Sequence, residues 1–220
     1  MLGNIVRGSR PRKRGPKPIG PKPIGVKSAG AVACRHPTTR PEGFLMTADP
    51  SSLQVETYRF ADDGVVPNNP LPLVVYRGVL AEGGDRASAC EAMFARNGWP
   101  GAWRNGIYGH HHYHSTAHEV LGIAAGNARV RLGGEGGQTV ELRAGDVVVI
   151  PAGVAHKRES ASPDLLVIGS YPRGQSPDLR RAEARAHDDA AGHIATVPLP
   201  AADPVTGGAE PLLGCWRNVG

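Results

Sequence analysis

The chain has 220 residues, room for one large domain or a small pair. Hydrophobic residues make up 40% of it and charged residues 20%, the balance of a globular chain, and no apolar run reaches bilayer-spanning length, so no membrane association is expected. The net charge of +5 and a pI near 9.4 invite a nucleic-acid partner, but the charge is unevenly placed. Residues 1–45 carry ten Lys/Arg against one acid, whereas residues 46–220 carry fifteen against nineteen. The folded part is therefore mildly acidic, and a basic nucleic-acid-binding domain is excluded.

Residues 1–45 hold seven Gly, seven Pro and the tandem pentapeptide Pro-Lys-Pro-Ile-Gly at 16–20 and 21–25. Alternating prolines forbid helix and sheet ladders, and the few large apolar residues cannot offset the ordering entropy. A basic arm and a targeting peptide compete as readings. A disordered tail or an over-extended start, with Met46 the next methionine, ranks above both. The domain proper is taken as 46–220.

From there short alternating runs dominate. Strands are expected at Gln54–Phe60, Leu73–Leu80, Ile107–His114 and Glu119–Ala125. A hairpin joins Ala128–Leu132 to Thr139–Arg143 through the glycine-rich turn 133–137. Asp146–Ile150, stopped by Pro151, and Leu165–Ile168 are continuous β-branched or aliphatic runs. Strands at this spacing predict an all-β sandwich or closed barrel. One helix is predicted over 86–97, with Cys90, Met93 and Phe94 on one face and Gly98 at C′. A second is expected from Ser176-Pro177, and beyond Gly192 a tail wraps over the domain. Cys34, Cys90 and Cys215 are odd in number and scattered, which predicts free thiols and a cytoplasmic location.

Histidine marks the chemistry: His110, His111, His112, His114 and His118 fall within nine residues. A lone histidine is more often structural than a ligand, but His112 and His114, two apart in an extended segment, share a face. Glu119 opens the next strand, and His156 follows the turn Pro151-Ala152-Gly153 that returns the chain toward the same sheet. Three imidazoles and one carboxylate make an N₃O set for one divalent transition metal ion, with Fe, Mn, Ni, Zn, Co and Cu all suited. His110 and His111 read as exposed neighbours, and His118 as either a support to the site or a surface residue. His118-Glu119 starts like the helical zinc signature His-Glu-x-x-His, but Gly122 stands where its second histidine belongs.

The spacing resembles the cupin family. Its first motif reads here Gly106-x5-His112-x-His114-x4-Glu119-x6-Gly126, and its second Gly145-x5-Pro151-x-Gly153-x2-His156-x3-Ser160, with Ser where the family has Asn. A narrower resemblance is to the YjlB-like cupins. It rests on Val55–Phe60, Pro67–Leu73, Trp103–Tyr108, His112–Thr116, Ser170-Tyr171-Pro172 with Gly174, and Val197–Pro200 with Asp203-Pro204. The resemblance implies a single cupin β-barrel (a double-stranded β-helix, or jelly roll) with one or two short helices and a metal bound by His112, His114, Glu119 and His156. The leading expectation is a metalloenzyme with a small-molecule substrate, using dioxygenase-like or isomerase/lyase-like chemistry. The alternative is a non-catalytic small-molecule binder. Arg104, Tyr108 and Tyr113 are candidates to touch the substrate, with core packing the commoner role for the tyrosines. No nucleic-acid or membrane partner is expected, and a homodimer is left open.

Overall fold

A computed structural model describes residues 53–217. The expectations for residues 1–45, and with them Cys34, lie outside the described residues. The elements are β1 (Gln54–Phe60), β2 (Asn69–Arg77), α1 (Arg86–Arg96), β3 (Trp103–Asn105), β4 (His112–Tyr113), β5 (Glu119–Ala125), β6 (Asn127–Leu132), β7 (Gln138–Arg143), β8 (Val147–Ile150), β9 (His156–Ala161), β10 (Leu166–Ser170), β11 (Arg180–Arg181), α2 (His187–Ile194) and α3 (Leu212–Arg217). Two antiparallel sheets face each other: a six-stranded sheet in the order β1-β2-β8-β5-β10-β3 and a five-stranded sheet in the order β11-β4-β9-β6-β7. This is the all-β jelly roll the motifs implied.

Side-chain parity explains which runs alternate and which do not. In the six-stranded sheet Leu73, Val75, Leu121, Ile123, Val148 and Ile150 point inward to a core shared with Val130, Leu132 and Leu142 of the other sheet. Their neighbours Val74, Tyr76, Val120, Val147 and Val149 point outward, but they too are buried, under α1 and α3. A sheet covered on both faces needs apolar residues at every position, hence the unbroken Val147–Ile150 run. In β6 only Ala128, Val130 and Leu132 are buried, while Asn127 and Arg129 are exposed and Arg131 half-buried. That is the pattern of a strand with one wet face.

α1 forms where expected. Asp85 caps it by accepting from Ser88 N, Ala87, Cys90 and Phe94 are buried, and Gly98 adopts φ +86 just beyond its end. The helix lies so close to β5 that a Cβ on Gly122 would stand 2.4 Å from Cys90 Sγ. The residue that breaks the zinc signature is therefore a packing glycine on a strand. Cys90 and Cys215 are both buried and no disulfide joins them, and burial pushes the Cys90 thiol up to about 12.

Two expectations are corrected. The extended run over 107–114 is paired only at His112–Tyr113. The helix expected from Ser176-Pro177 is absent: the chain continues as an irregular strap that pairs as β11 with β4, and α2 starts only at His187. Asp178 explains the difference. Its carboxylate accepts from Ser115 N and Ser115 Oγ, both at 2.6 Å, and from Arg180 Nε at 2.7 Å, so Pro177 begins a docked strap instead of a helix. The chain beyond Gly192 does wrap the domain. Trp216 Nε1 donates to Pro72 O, and buried Asp203 accepts from Tyr76 Oη, Val205 N, Thr206 N and Leu212 N. Among the described residues no helix is long and apolar enough to cross a membrane.

Candidate metal centre

His112, His114, Glu119 and His156 come together inside the barrel, on the wall of a cavity of about 370 Å³. Each is placed by strand geometry. His112 sits on β4 directly opposite His156 on β9, and the two rings lie 4.0 Å apart. Tyr113, of opposite parity, packs outside among Val66, Ala155 and Ile194, which returns His114 to the interior. Glu119 starts β5 and is buried. The Pro151 turn is tied back to β4 by Gly153 N donating to His114 O at 2.8 Å, so the two motifs are registered by backbone as well as by side chains.

The imidazoles are oriented alike. Nδ1 of His112 lies 3.2 Å from His110 O, Nδ1 of His156 lies 3.4 Å from Val154 O, and Nδ1 of His114 contacts Asp178 O. A carbonyl only accepts, so each Nδ1 carries a proton, and a neutral ring in this orientation would present a bare Nε2. Nε2 of His114 stands 3.3 Å from Glu119 Oε1, and Nε2 of His156 stands 3.2 Å from Glu119 Oε2. In neutral rings these lone pairs would face carboxylate lone pairs, an arrangement that calls for a proton or a cation between them. Glu119 Oε2 is also buried without a hydrogen-bond partner. Among the described residues no three or more His, Cys, Asp or Glu groups stand ready to hold an ion as placed: the side chains touch one another instead. The donor set and the orphaned carboxylate oxygen nevertheless fit a divalent ion, for which those contacts would be exchanged.

Electrostatics follow from burial and mutual contact. Burial, aided by neighbouring His156, pushes His112 down to about 3. Burial also acts to lower His114, but the adjacent Glu119 carboxylate overrides it and the pKa is raised. For Glu119 burial works upward, and the charge and hydrogen bond of His114, with His156, reverse it, so the carboxylate stays ionised.

The other histidines separate. His110 is half-buried under the Tyr108 ring at 5.1 Å. His111 is not an exposed neighbour: its side chain is 9% exposed, lies 3.1 Å from Glu135 and faces a different cavity. His118 is buried, accepts from Ala152 N at 3.0 Å and packs on Trp216, so it braces the Pro151 turn against the C-terminal wrap. Ser160, the departure from the family pattern, is exposed on β9 opposite Arg129 and does not line the cavity.

Of the substrate candidates, Tyr113 is core and Tyr108 is a half-exposed rim residue edge-on to His112. Arg104 lines the cavity, but its guanidinium is bound to both Glu91 oxygens and to Ser88 Oγ. Sequence reasoning missed Trp103, Tyr171 and Asp178, all on the cavity wall. Tyr171 stands edge-on to His114 at 5.4 Å, and burial, with the Glu119 carboxylate nearby, raises its phenol pKa. Trp103 and Tyr171 lie within segments that carried the YjlB-like resemblance, but nothing in those segments pairs the two or sets either beside the histidines, which only strand register does.

Residues 100–168 match the family model described as "Cupin domain". The chain is 43% identical over 164 residues, 74% of its own length and 97% of the relative's, to "Uncharacterized protein YjlB" of Bacillus subtilis (strain 168). Among solved structures, a dTDP-6-deoxy-D-glucose-3,5-epimerase of Legionella pneumophila aligns with TM-score 0.32 and 15% identity over 54% of this chain and 72% of that one. A variant oxalate decarboxylase of Bacillus subtilis aligns with TM-score 0.30 and 16% identity over 59% and 28%. The motif spacing, the jelly roll and the near full-length relative agree: this chain belongs to the cupins, in their YjlB-like group.

Proposed function

We propose that this cupin is a metal-dependent enzyme acting on a small organic molecule, with His112, His114, Glu119 and His156 as the ligands of one divalent transition metal ion. One observation carries the reading. Two imidazoles with their Nδ1 atoms committed to backbone carbonyls aim Nε2 at a buried carboxylate whose Oε2 has no hydrogen-bond partner. A bound ion would supply Lewis-acid polarisation of a substrate oxygen or a site for oxygen chemistry. The chain's own part is to hold the imidazoles in one tautomer and to keep Glu119 ionised. It also encloses the substrate beside them in a cavity within the range of roughly 300–1,000 Å³ usual for small-molecule sites. Cytoplasmic placement belongs to the same reading, in keeping with the lack of a disulfide between Cys90 and Cys215.

A non-catalytic binder is the second reading. It is favoured because, among the described residues, the wall outside the ligand set offers no idle carboxylate or cation. Asp178 is committed to Ser115 and Arg180, and Arg104 to Glu91. Elemental analysis of untagged protein, followed by turnover assays of the metal-loaded form on small carbonyl and enol compounds, tests both. Stoichiometric metal with turnover supports the enzyme, metal without turnover supports the binder, and no metal retained at neutral pH sinks the ligand assignment.

A further inference from the structure

Outside the proposed ligand set the cavity wall also carries Asn105, Tyr108 and, beside Glu119 and His114, the Tyr171 hydroxyl. Its direction is set from behind. Gly169 on β10 pairs with Trp103 on β3, and a Cβ at Gly169 would fall 1.9 Å from Trp103 Cζ2. The indole therefore lies directly on bare backbone, where no larger residue than glycine leaves it room. From that position Trp103 Nε1 donates to Tyr171 Oη at 3.2 Å. An indole N–H only donates, so the phenol oxygen is the acceptor and its own proton is turned away from Trp103, toward the cavity and the Glu119 side. Both side chains line the cavity, beside Glu119 and His114.

The rest of the wall determines what this proton can meet. Apart from the imidazoles, the one basic side chain on the wall among the described residues is Arg104, bound to Glu91 at 2.7 and 2.9 Å and to Ser88 at 2.9 Å. The Asp178 carboxylate is taken by Ser115 and Arg180. What is left facing a ligand is apolar surface from Ile107, Leu121 and Leu179, aromatic surface from Trp103 and Tyr108, the Asn105 amide, and the phenol O–H groups of Tyr108 and Tyr171, none of them charged. Such a wall recognises a flat, uncharged, oxygen-bearing molecule. An anion would lose its hydration without gaining a free cation from these side chains.

We infer that Tyr171, set by Trp103, is the hydrogen-bond donor to a carbonyl or hydroxyl oxygen of a small uncharged planar ligand. The inference deepens the proposed function and rests on it only in taking this cavity as the substrate site.

The test uses the full chain and acetophenone as probe, with benzoate as its charged counterpart. The indole N–H resonance of Trp103, one of three tryptophans, is identified by its loss in Trp103→Phe and followed in metal-free and zinc-loaded protein. Acetophenone is expected to shift this resonance saturably. Tyr171→Phe, which keeps the ring, should weaken acetophenone about 5- to 10-fold, the worth of one hydrogen bond, and leave zinc stoichiometry unchanged. Benzoate should bind the metal-free protein more weakly than acetophenone does, since the one guanidinium on the wall, that of Arg104, is already bound to Glu91 and Ser88. The inference is overturned by an absence of any saturable shift in the unaltered protein, or by equal acetophenone affinity in Tyr171→Phe. It is also overturned if Tyr171→Phe loses zinc but keeps its acetophenone affinity, because Tyr171 would then serve Glu119 alone, or if benzoate binds as tightly as acetophenone. Failure of the unaltered protein to take up zinc would sink the metal reading and leave the acetophenone comparison in metal-free protein intact.

Discussion

The inward-facing residues of this barrel fall into two neighbouring regions built by the same strand parity. Between the sheets, Leu73, Leu132, Leu142, Val148 and Ile150 close a dry core. Beside it, on β4, β5 and β9, the same inward parity carries His112, Glu119 and His156. The first region gains free energy by burial, at roughly 25 cal/mol per Å² of apolar surface. The second buries imidazoles against a carboxylate, which burial alone disfavours. What keeps it together is borrowed rigidity: the β4–β9 pairing, the Gly153 N–His114 O bond and the Asp178 strap. The difference teaches that burial favours the dry region and works against the polar one, so stability and the proposed metal uptake should be separable by mutation.

The largest effect should come from the dry core. Leu142→Ala should cost about 2–5 kcal/mol, at roughly 2–4 °C of melting temperature per kcal/mol for a domain of this size, while the fraction still folded keeps its metal. A thermal melt paired with elemental analysis checks this, and parallel loss of both would show the regions to be one unit. The converse experiment lies in the polar region. His114→Ala should reduce bound metal about tenfold or more with little change in the metal-free melt, while His110→Ala should keep its metal. Equal occupancy in the two variants would break the ligand assignment.

The strap that joins the regions gives a pH-dependent expectation. Asp178 is burial-disfavoured as a charge, yet its bonds from Ser115 and Arg180 bring its pKa from 3.8 down to about 2. A depressed carboxylate adds stability that is present above its unfolded value and is lost as pH falls through the folded value. Acid titration of the unaltered protein should therefore show a loss between about pH 4 and about pH 2 that Asp178→Asn lacks. Identical acid profiles would mean that the strap is held by its other contacts. The smallest effect concerns Cys90 under α1. With its thiol pushed up to about 12 and its Sγ buried, it should resist alkylation in folded protein and react only on unfolding. Peptide mapping after mild iodoacetamide treatment reads the outcome.

Much of this molecule was written locally. Strand parity placed Ala128, Val130 and Leu132 inward, the Asp85–Gly98 frame held α1, and the fixed spacing from Gly106 to Ser160 named four donors that the fold does bring together. These are properties of residues a few positions apart, where period and turn chemistry decide. The strap escapes local reading for a physical reason: Ser176-Pro177 is a sound helix start by itself, and only the distant donors Ser115 N and Ser115 Oγ make Asp178 prefer a docked extended path. The pairing of β10 with β3 was equally invisible, and with it the contact of Trp103 with Tyr171, 68 residues apart. Sequence by itself determined most elements, the family and the four residues that meet at the cavity, because each depends on local order. Tertiary structure alone decided which polar groups are already spent, Arg104 on Glu91 and Asp178 on Ser115, and which remain for a ligand, because a side chain's availability depends on partners that no spacing records.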